Sequence, residues 1–205
     1  MRAAGLDLDL DERNNPSTVV YYAPRRSVAT DGSSIGPVLE RLSRGSGETA
    51  SLVILDGREA LYLDKVESPR SLRIFSRIGH RAPLHCTAAG KVLLAYRTKA
   101  EVDALLGDGP LEALTRHTIT SPGQLRRELE KVRVQGYARD QEECEDETCC
   151  LAVPVRNARG GVEAALSVSA PAVRLTLRRR ETLIPLLLQT GREVSAQLGF
   201  NGSTR

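Results

Sequence analysis

Three stretches of this chain carry side chains whose types and spacing could do chemistry. The first is Pro83-Leu84-His85-Cys86-Thr87-Ala88-Ala89-Gly90-Lys91. Thr87 is placed to cap a helix, which would leave the backbone N–H groups of Ala89 and Gly90 as donors in its first turn. Small side chains keep those donors accessible and the helix dipole favours an anion there, so a ligand carboxylate fits. An ordinary capped helix packing its small residues on a sheet explains the same residues. The second stretch runs from Asp140 to Cys150 and sets Asp140, Glu142, Glu143, Glu145, Asp146 and Glu147 among Cys144, Cys149 and Cys150. By itself it reads as a solvated acidic loop, since the glycine and ligand spacing of a calcium loop are absent. The third, Leu166-Ser167-Val168-Ser169-Ala170-Pro171, puts Ser167 and Ser169 on one face of a strand. Facing inward, these serines would need polar partners; an outward face accounts for them equally well.

Two enzymatic patterns are present in form only. Gly32-Ser33-Ser34-Ile35-Gly36 matches G-x-S-x-G, but no apolar strand precedes it to build the sharp strand-to-helix turn a nucleophilic serine needs, and Ser34 is better explained as a helix N-cap. Cys86 lies near a helix N-terminus, which lowers a thiol pKa. Its neighbour His85 would not face it, however, and His80 or His117 would have to act as base. A hydrolase is therefore the weakest of the readings. Cys144, Cys149 and Cys150 form C-x4-C-C, not a zinc spacing, and Cys86 is distant, so neither metal nor cofactor is expected.

The elements that must position these groups are legible from periodicity. Ile35, Val38, Leu39 and Leu42 follow helical spacing from Ser34. Thr49 to Leu55 and Leu61 to Val66 are β-prone runs around Asp56-Gly57, a hairpin signal. A third strand is expected over Leu72 to Ile78. Thr87 starts a helix reaching Tyr96, Thr98 and Glu101 form a capping box for another, and Ser121-Pro122 opens one that Gly136 stops. Strands follow at Tyr137 to Gln141, Cys149 to Val155 and Val162 to Ser169, and a last helix begins after Thr176. About six strands joined mostly by hairpins, with helices in blocks, make an α+β domain with a mostly antiparallel sheet.

Bulk properties narrow the class. At 205 residues the chain suits one domain. No apolar stretch approaches the ~18 residues of a membrane span, and Asp7, Asp9, Asp11 and Glu12 interrupt any signal-peptide core, so a cytoplasmic protein with reduced thiols is expected. A net charge of +3 and an aromatic content of 3% without tryptophan argue against a nucleic-acid surface. Residues 1–33 show no helical period and read as a weakly structured segment. They cannot supply the three helices of a winged helix-turn-helix.

Taken together, PLHCTAAGK, GYARDQEECEDETCCLAVPV and AALSVSAPAVRLT occur in the order and spacing of the effector domain of IclR-type transcription regulators, which the chain resembles from Ile35 to about Phe200. ERLSRGSGETASLVILDGREALYLDKVES resembles the start of that domain. The resemblance implies a GAF-like or PAS-like sensor over residues 34–200, followed by a short tail at 201–205. Such a sensor forms a homodimer or tetramer and takes a small organic or aromatic acid, here without a DNA-binding domain of its own. It also implies a pocket lined by Ala89, Gly90, Asp140, Cys150, Ser167 and Ser169, with no catalytic role. Cys144 stands where many relatives carry histidine, and Cys149 is an added thiol, so effector identity does not transfer. A ligand-independent module forming mixed oligomers with full-length regulators is the alternative.

Overall fold

Two β-hairpins brought side by side make the centre of the molecule. The computed structural model describes residues 35–74, 77–107 and 109–202. In chain order the elements are α1 (Gly36–Ser46), β1 (Thr49–Asp56), β2 (Glu59–Val66), β3 (Arg81–Pro83), α2 (Ala88–Ala95), α3 (Lys99–Leu106), α4 (Pro122–Gln135), β4 (Ala138–Gln141), β5 (Thr148–Arg156), β6 (Val162–Pro171) and α5 (Leu177–Gln197). The strands form one sheet in the order β3-β2-β1-β6-β5-β4, every neighbouring pair antiparallel. The α+β expectation is met.

Side-chain alternation divides the sheet into two faces. Leu52, Leu63, Leu151, Val153, Leu166 and Val168 point to one side, where they meet Val38, Leu39 and Leu42 of α1 and Leu183, Leu187 and Val194 of α5. Leu166 and Val168 are fully buried there, each worth roughly 1.5–3 kcal/mol of transfer free energy. The other face is built of smaller residues, Val53, Ala60, Ala138, Ala152 and Ala165, and carries α2 and α4 through Ala88, Ala89, Val92, Leu93, Leu125, Leu129 and Val132. Because Ala165 faces α2, the strand period of two sends Ser167 and Ser169 to that side as well.

The turn and cap signals are confirmed at atomic detail. Asp56 pairs with Glu59 across the first hairpin, whose Gly57 sits at φ 61. Thr98 and Glu101 close their capping box, and Ser121 caps α4 before Gly136 ends it at φ 79. Two expectations are corrected. Helix α1 opens at Gly36 after Ile35, which supplies no side-chain cap. Ser34, Gly32 and Ser33 lie outside the described residues, as do the rest of 1–33 and residues 203–205. No strand occurs over Leu72 to Ile78 among the described residues; Leu72 and Ile78 are 63% and 53% exposed, so their alternation marks no buried face. The third strand is instead Arg81–Pro83, paired with β2 at the sheet edge. Its short length and terminal proline hid it, and an edge is where a missing N–H is tolerated. No helix among the described residues is long and apolar enough to cross a membrane.

Candidate functional site

The start of α2 shows how its residues are used. Thr87 is extended, its hydroxyl accepts from the Gly90 amide at 3.1 Å, and it donates to the Pro83 carbonyl at 3.0 Å. The expectation of a free Gly90 amide is thus corrected: the cap itself takes it. Ala88 and Ala89 keep the first-turn amides for which the helix ladder has no acceptor. Gly90 serves packing. A Cβ there would lie 2.3 Å from the Leu84 carbonyl oxygen and 2.5 Å from its Cα, so only glycine lets the helix rest on the preceding turn.

Strand register gathers the remaining expected residues beneath α2. Asp140 pairs with Cys150, Cys150 with Ser169, and Ser169 with Thr49, forming one row across β4, β5, β6 and β1. The next row on that face runs from Ala152 through Ser167 to Ser51. The Cys150 thiol donates to the Ser169 hydroxyl at 3.2 Å. Ser167 is 2% exposed. Its hydroxyl is the one buried side-chain nitrogen or oxygen among the described residues that has no hydrogen-bond partner. Such a group costs the fold about 1–3 kcal/mol and calls for an explanation.

The acidic stretch is only partly the solvated loop its composition suggests. Asp140 and Glu143 are buried. Burial pushes the Asp140 carboxyl up to about 7, with the neighbouring Glu143 charge adding to the rise; the Glu143 amide, donating at 2.8 Å, and the Lys91 charge oppose it. Lys91 reaches out of α2, itself fully buried, and grips both Glu143 oxygens at 2.6 and 2.7 Å. Thr115 and Thr118 pin the loop from outside, donating to the Glu142 and Glu143 carbonyls at 2.6 Å each.

Cys86, Cys149 and Cys150 are held in the protonated form. Contact with the Cys144 thiol, followed by burial, drives the Cys86 pKa far up, overriding the helix N-terminus that would lower it. Burial likewise raises Cys150 and Cys149. The histidines are engaged elsewhere: His85 Nε2 lies 2.9 Å from the Glu112 carbonyl, the His80 ring lies against Tyr62, and His117 Nε2 accepts from Arg116. No group of three His, Cys, Asp or Glu among the described residues could hold a metal ion. What the face offers is a compact polar surface of hydroxyls, thiols and one readily protonated carboxyl.

Residues 32–196 match the family described as bacterial transcriptional regulator IclR C-terminal. The chain belongs to the IclR family. It is 42% identical over 163 residues to the HTH-type transcriptional regulator KdgR of Escherichia coli, a match covering 80% of this chain and 62% of KdgR. The chain therefore spans about three fifths of that relative. Among solved structures, the C-terminal domain of KdgR superposes with a TM-score of 0.73 at 39% identity, covering 80% of this chain and 96% of that one. The inducer-binding domain of PobR from Acinetobacter, solved as a complex of its double mutant with 3-hydroxybenzoic acid, superposes at 0.72 with 30% identity and covers 78% and 95%. These relatives are regulators and not enzymes, and the matched domain of the family binds effectors and oligomerises.

Within this IclR domain, residues beyond the expected set join the same face. Tyr62 packs against the α2 side of the sheet, where burial raises its hydroxyl pKa and the fields of Cys150, Cys144, Asp140 and Cys86 all reach it. Its place between Leu61 and Leu63 in a strand was a signal that it faces opposite to them. The Lys91–Glu143 pair left no signal, because a lysine amid Ala, Gly, Val and Leu looks like the exposed edge of a helix.

Proposed function

We propose that this IclR domain senses a small organic acid that docks against the first turn of α2 and the Ser167–Ser169 face of the sheet. The observation that carries the reading is the buried, unpartnered hydroxyl of Ser167. A ligand oxygen placed beside it would satisfy it, while the Ala89 amide and the Ser169 hydroxyl would supply further donors. Asp140, poised to be protonated near neutral pH, would donate to a ligand carboxylate or accept from a ligand hydroxyl, and Cys150 would form a polarizable wall. Gly90 contributes by letting α2 lie close. The PobR relative in complex with 3-hydroxybenzoic acid supports an acid of that general class.

The test is a thermal-shift screen of aliphatic keto and hydroxy acids and of aromatic acids. At about 100 times its Kd a true effector raises stability by about 2.7 kcal/mol, a midpoint rise of several degrees for a domain of this size. Ser169→Val and Asp140→Asn should change which acids act. Gly90→Val is no test, since its side chain would collide with the Leu84 backbone. A panel that shifts the wild type no more than the Ser169→Val variant would refute the proposal.

A further inference from the structure

A second feature lies away from the serine face and shares no residue with it. A cleft of about 450 Å3 opens between the C-terminal turn of α4, the end of β5 and the last turns of α5. Its volume falls in the range of small-molecule sites, ~300–1,000 Å3. The floor is apolar, with Val153, Leu188 and Phe200, and three arginines border it: Arg133, Arg156 and Arg192.

Two of these guanidinium groups, Arg133 and Arg156, are held by uncharged partners. Arg156 lies over the Tyr96 ring at 4.4 Å and 5.7 Å from the Phe200 ring centre, and donates to the Gly160 carbonyl at 2.9 Å. Arg133 donates to the Ala95 carbonyl at 2.7 Å. Both are therefore held at the end of α2, Arg133 by the Ala95 carbonyl and Arg156 by the ring of the next residue, Tyr96, and both line the cleft. Carbonyls and ring faces hold a cation in place while leaving its full charge. Some other arginines of the domain do meet carboxylates, as in Arg174–Glu48 and Arg126–Asp103. None of the three cleft arginines joins an ion pair among the described residues. Like charges around an apolar floor repel one another, and an anion relieves that repulsion where water screens it poorly.

We propose that this cleft is a second ligand site, for an organic anion with an aromatic or branched aliphatic body and one carboxylate, sulfonate or phosphate group. The body rests on Val153, Leu188 and the Phe200 ring, and the anionic group meets the arginine fork, whose planar donors suit two oxygens at once. Since α5 packs by its other residues on the sheet face opposite α2, occupancy here would bear on α5 without touching the effector face.

The probe is 1-anilinonaphthalene-8-sulfonate, titrated into the full chain by fluorescence, with the methyl resonances of Val153 and Leu188 followed by NMR. A single saturable event that moves those methyls is expected. Arg192→Glu should weaken it tenfold or more, Ala196→Trp should abolish it by filling the cleft, and Ser167→Ala should leave it unchanged. Arg192 and Ala196 are exposed positions of α5, and unchanged thermal midpoints would show that both variants fold. Arg192→Gln, which removes charge without reversing it, serves as the second variant and should give a smaller loss. Binding unaffected by the Arg192 and Ala196 variants, binding weakened by Ser167→Ala, or methyls that do not move would each overturn the assignment.

Discussion

Replacing Ser167 by alanine removes one oxygen from the centre of the sheet and should make the ligand-free domain more stable. Most core substitutions destabilise by about 1 kcal/mol, so the sign is the informative part. The hydroxyl is buried without a partner, a cost of about 1–3 kcal/mol. The backbone of Ser167 stays paired with β1 and β5 opposite Ser51 and Ala152. Deleting the oxygen forfeits a few dispersion contacts, a few tenths of a kcal/mol at ~0.1–0.2 each. The net gain is about 1 kcal/mol, which raises the midpoint by roughly 2–4 °C. Ser169→Ala is the internal control, since its hydroxyl accepts from Cys150 at 3.2 Å and its loss strands that donor. Calorimetry on both ligand-free variants should show opposite signs. In the presence of an effector found by the acid screen, Ser167→Ala should weaken binding about fivefold to thirtyfold, equivalent to about 1–2 kcal/mol. A ligand-free Ser167→Ala domain that melts more than 2 °C below the wild type would refute the reasoning, because the hydroxyl would then have a partner in solution.

Other outcomes follow from the same geometry. Asp140 is held at about 7 in the fold against an ordinary 3.8, so the folded state binds its proton more tightly than the unfolded one and stability falls as pH rises from about 4 to 7. Urea melts across that window should show Asp140→Asn gaining on the wild type by a total on the order of 4 kcal/mol, levelling off above pH 7; a pH-independent difference would contradict the assignment. Lys91→Met strands the buried Glu143 carboxylate and should cost about 3–5 kcal/mol, while Lys91→Met with Glu143→Leu should recover most of it in chemical denaturation. If the single and double variants are equally unstable, the pair is not what holds the loop. The full chain is expected to form a homodimer or a dimer of dimers; light scattering that returned only the 22.3 kDa species at micromolar concentration would exclude this.

Local physics was sufficient for most elements. The Thr87, Thr98, Ser121 and Thr176 caps, the Asp56-Gly57 turn and the β-prone runs on either side of it each arise from interactions within a few residues, which is why they could be read in the sequence. Leu72 to Ile78 misled for the complementary reason. Its alternation is a local pattern, and only the sheet could decide that no strand position was left for it and that the edge belonged to Arg81–Pro83. The serine pair showed a shared face but not which one; packing of α2 over Ala165 and Ala152 turned it inward. Gly90 was legible as a small residue, yet the Leu84 backbone against it explains why nothing larger fits. The acidic loop is the fullest case. Six carboxylates in a row of eight residues imply solvent, and nothing in one dimension reveals that Lys91, 52 positions away, would draw Glu143 inside. Sequence determined most of the segments that become helix, strand and turn, because those choices are settled largely by neighbours along the chain. Which polar groups end up buried, partnered or left without a partner was decided by long-range packing alone, because burial and pairing depend on groups that only the tertiary fold brings together.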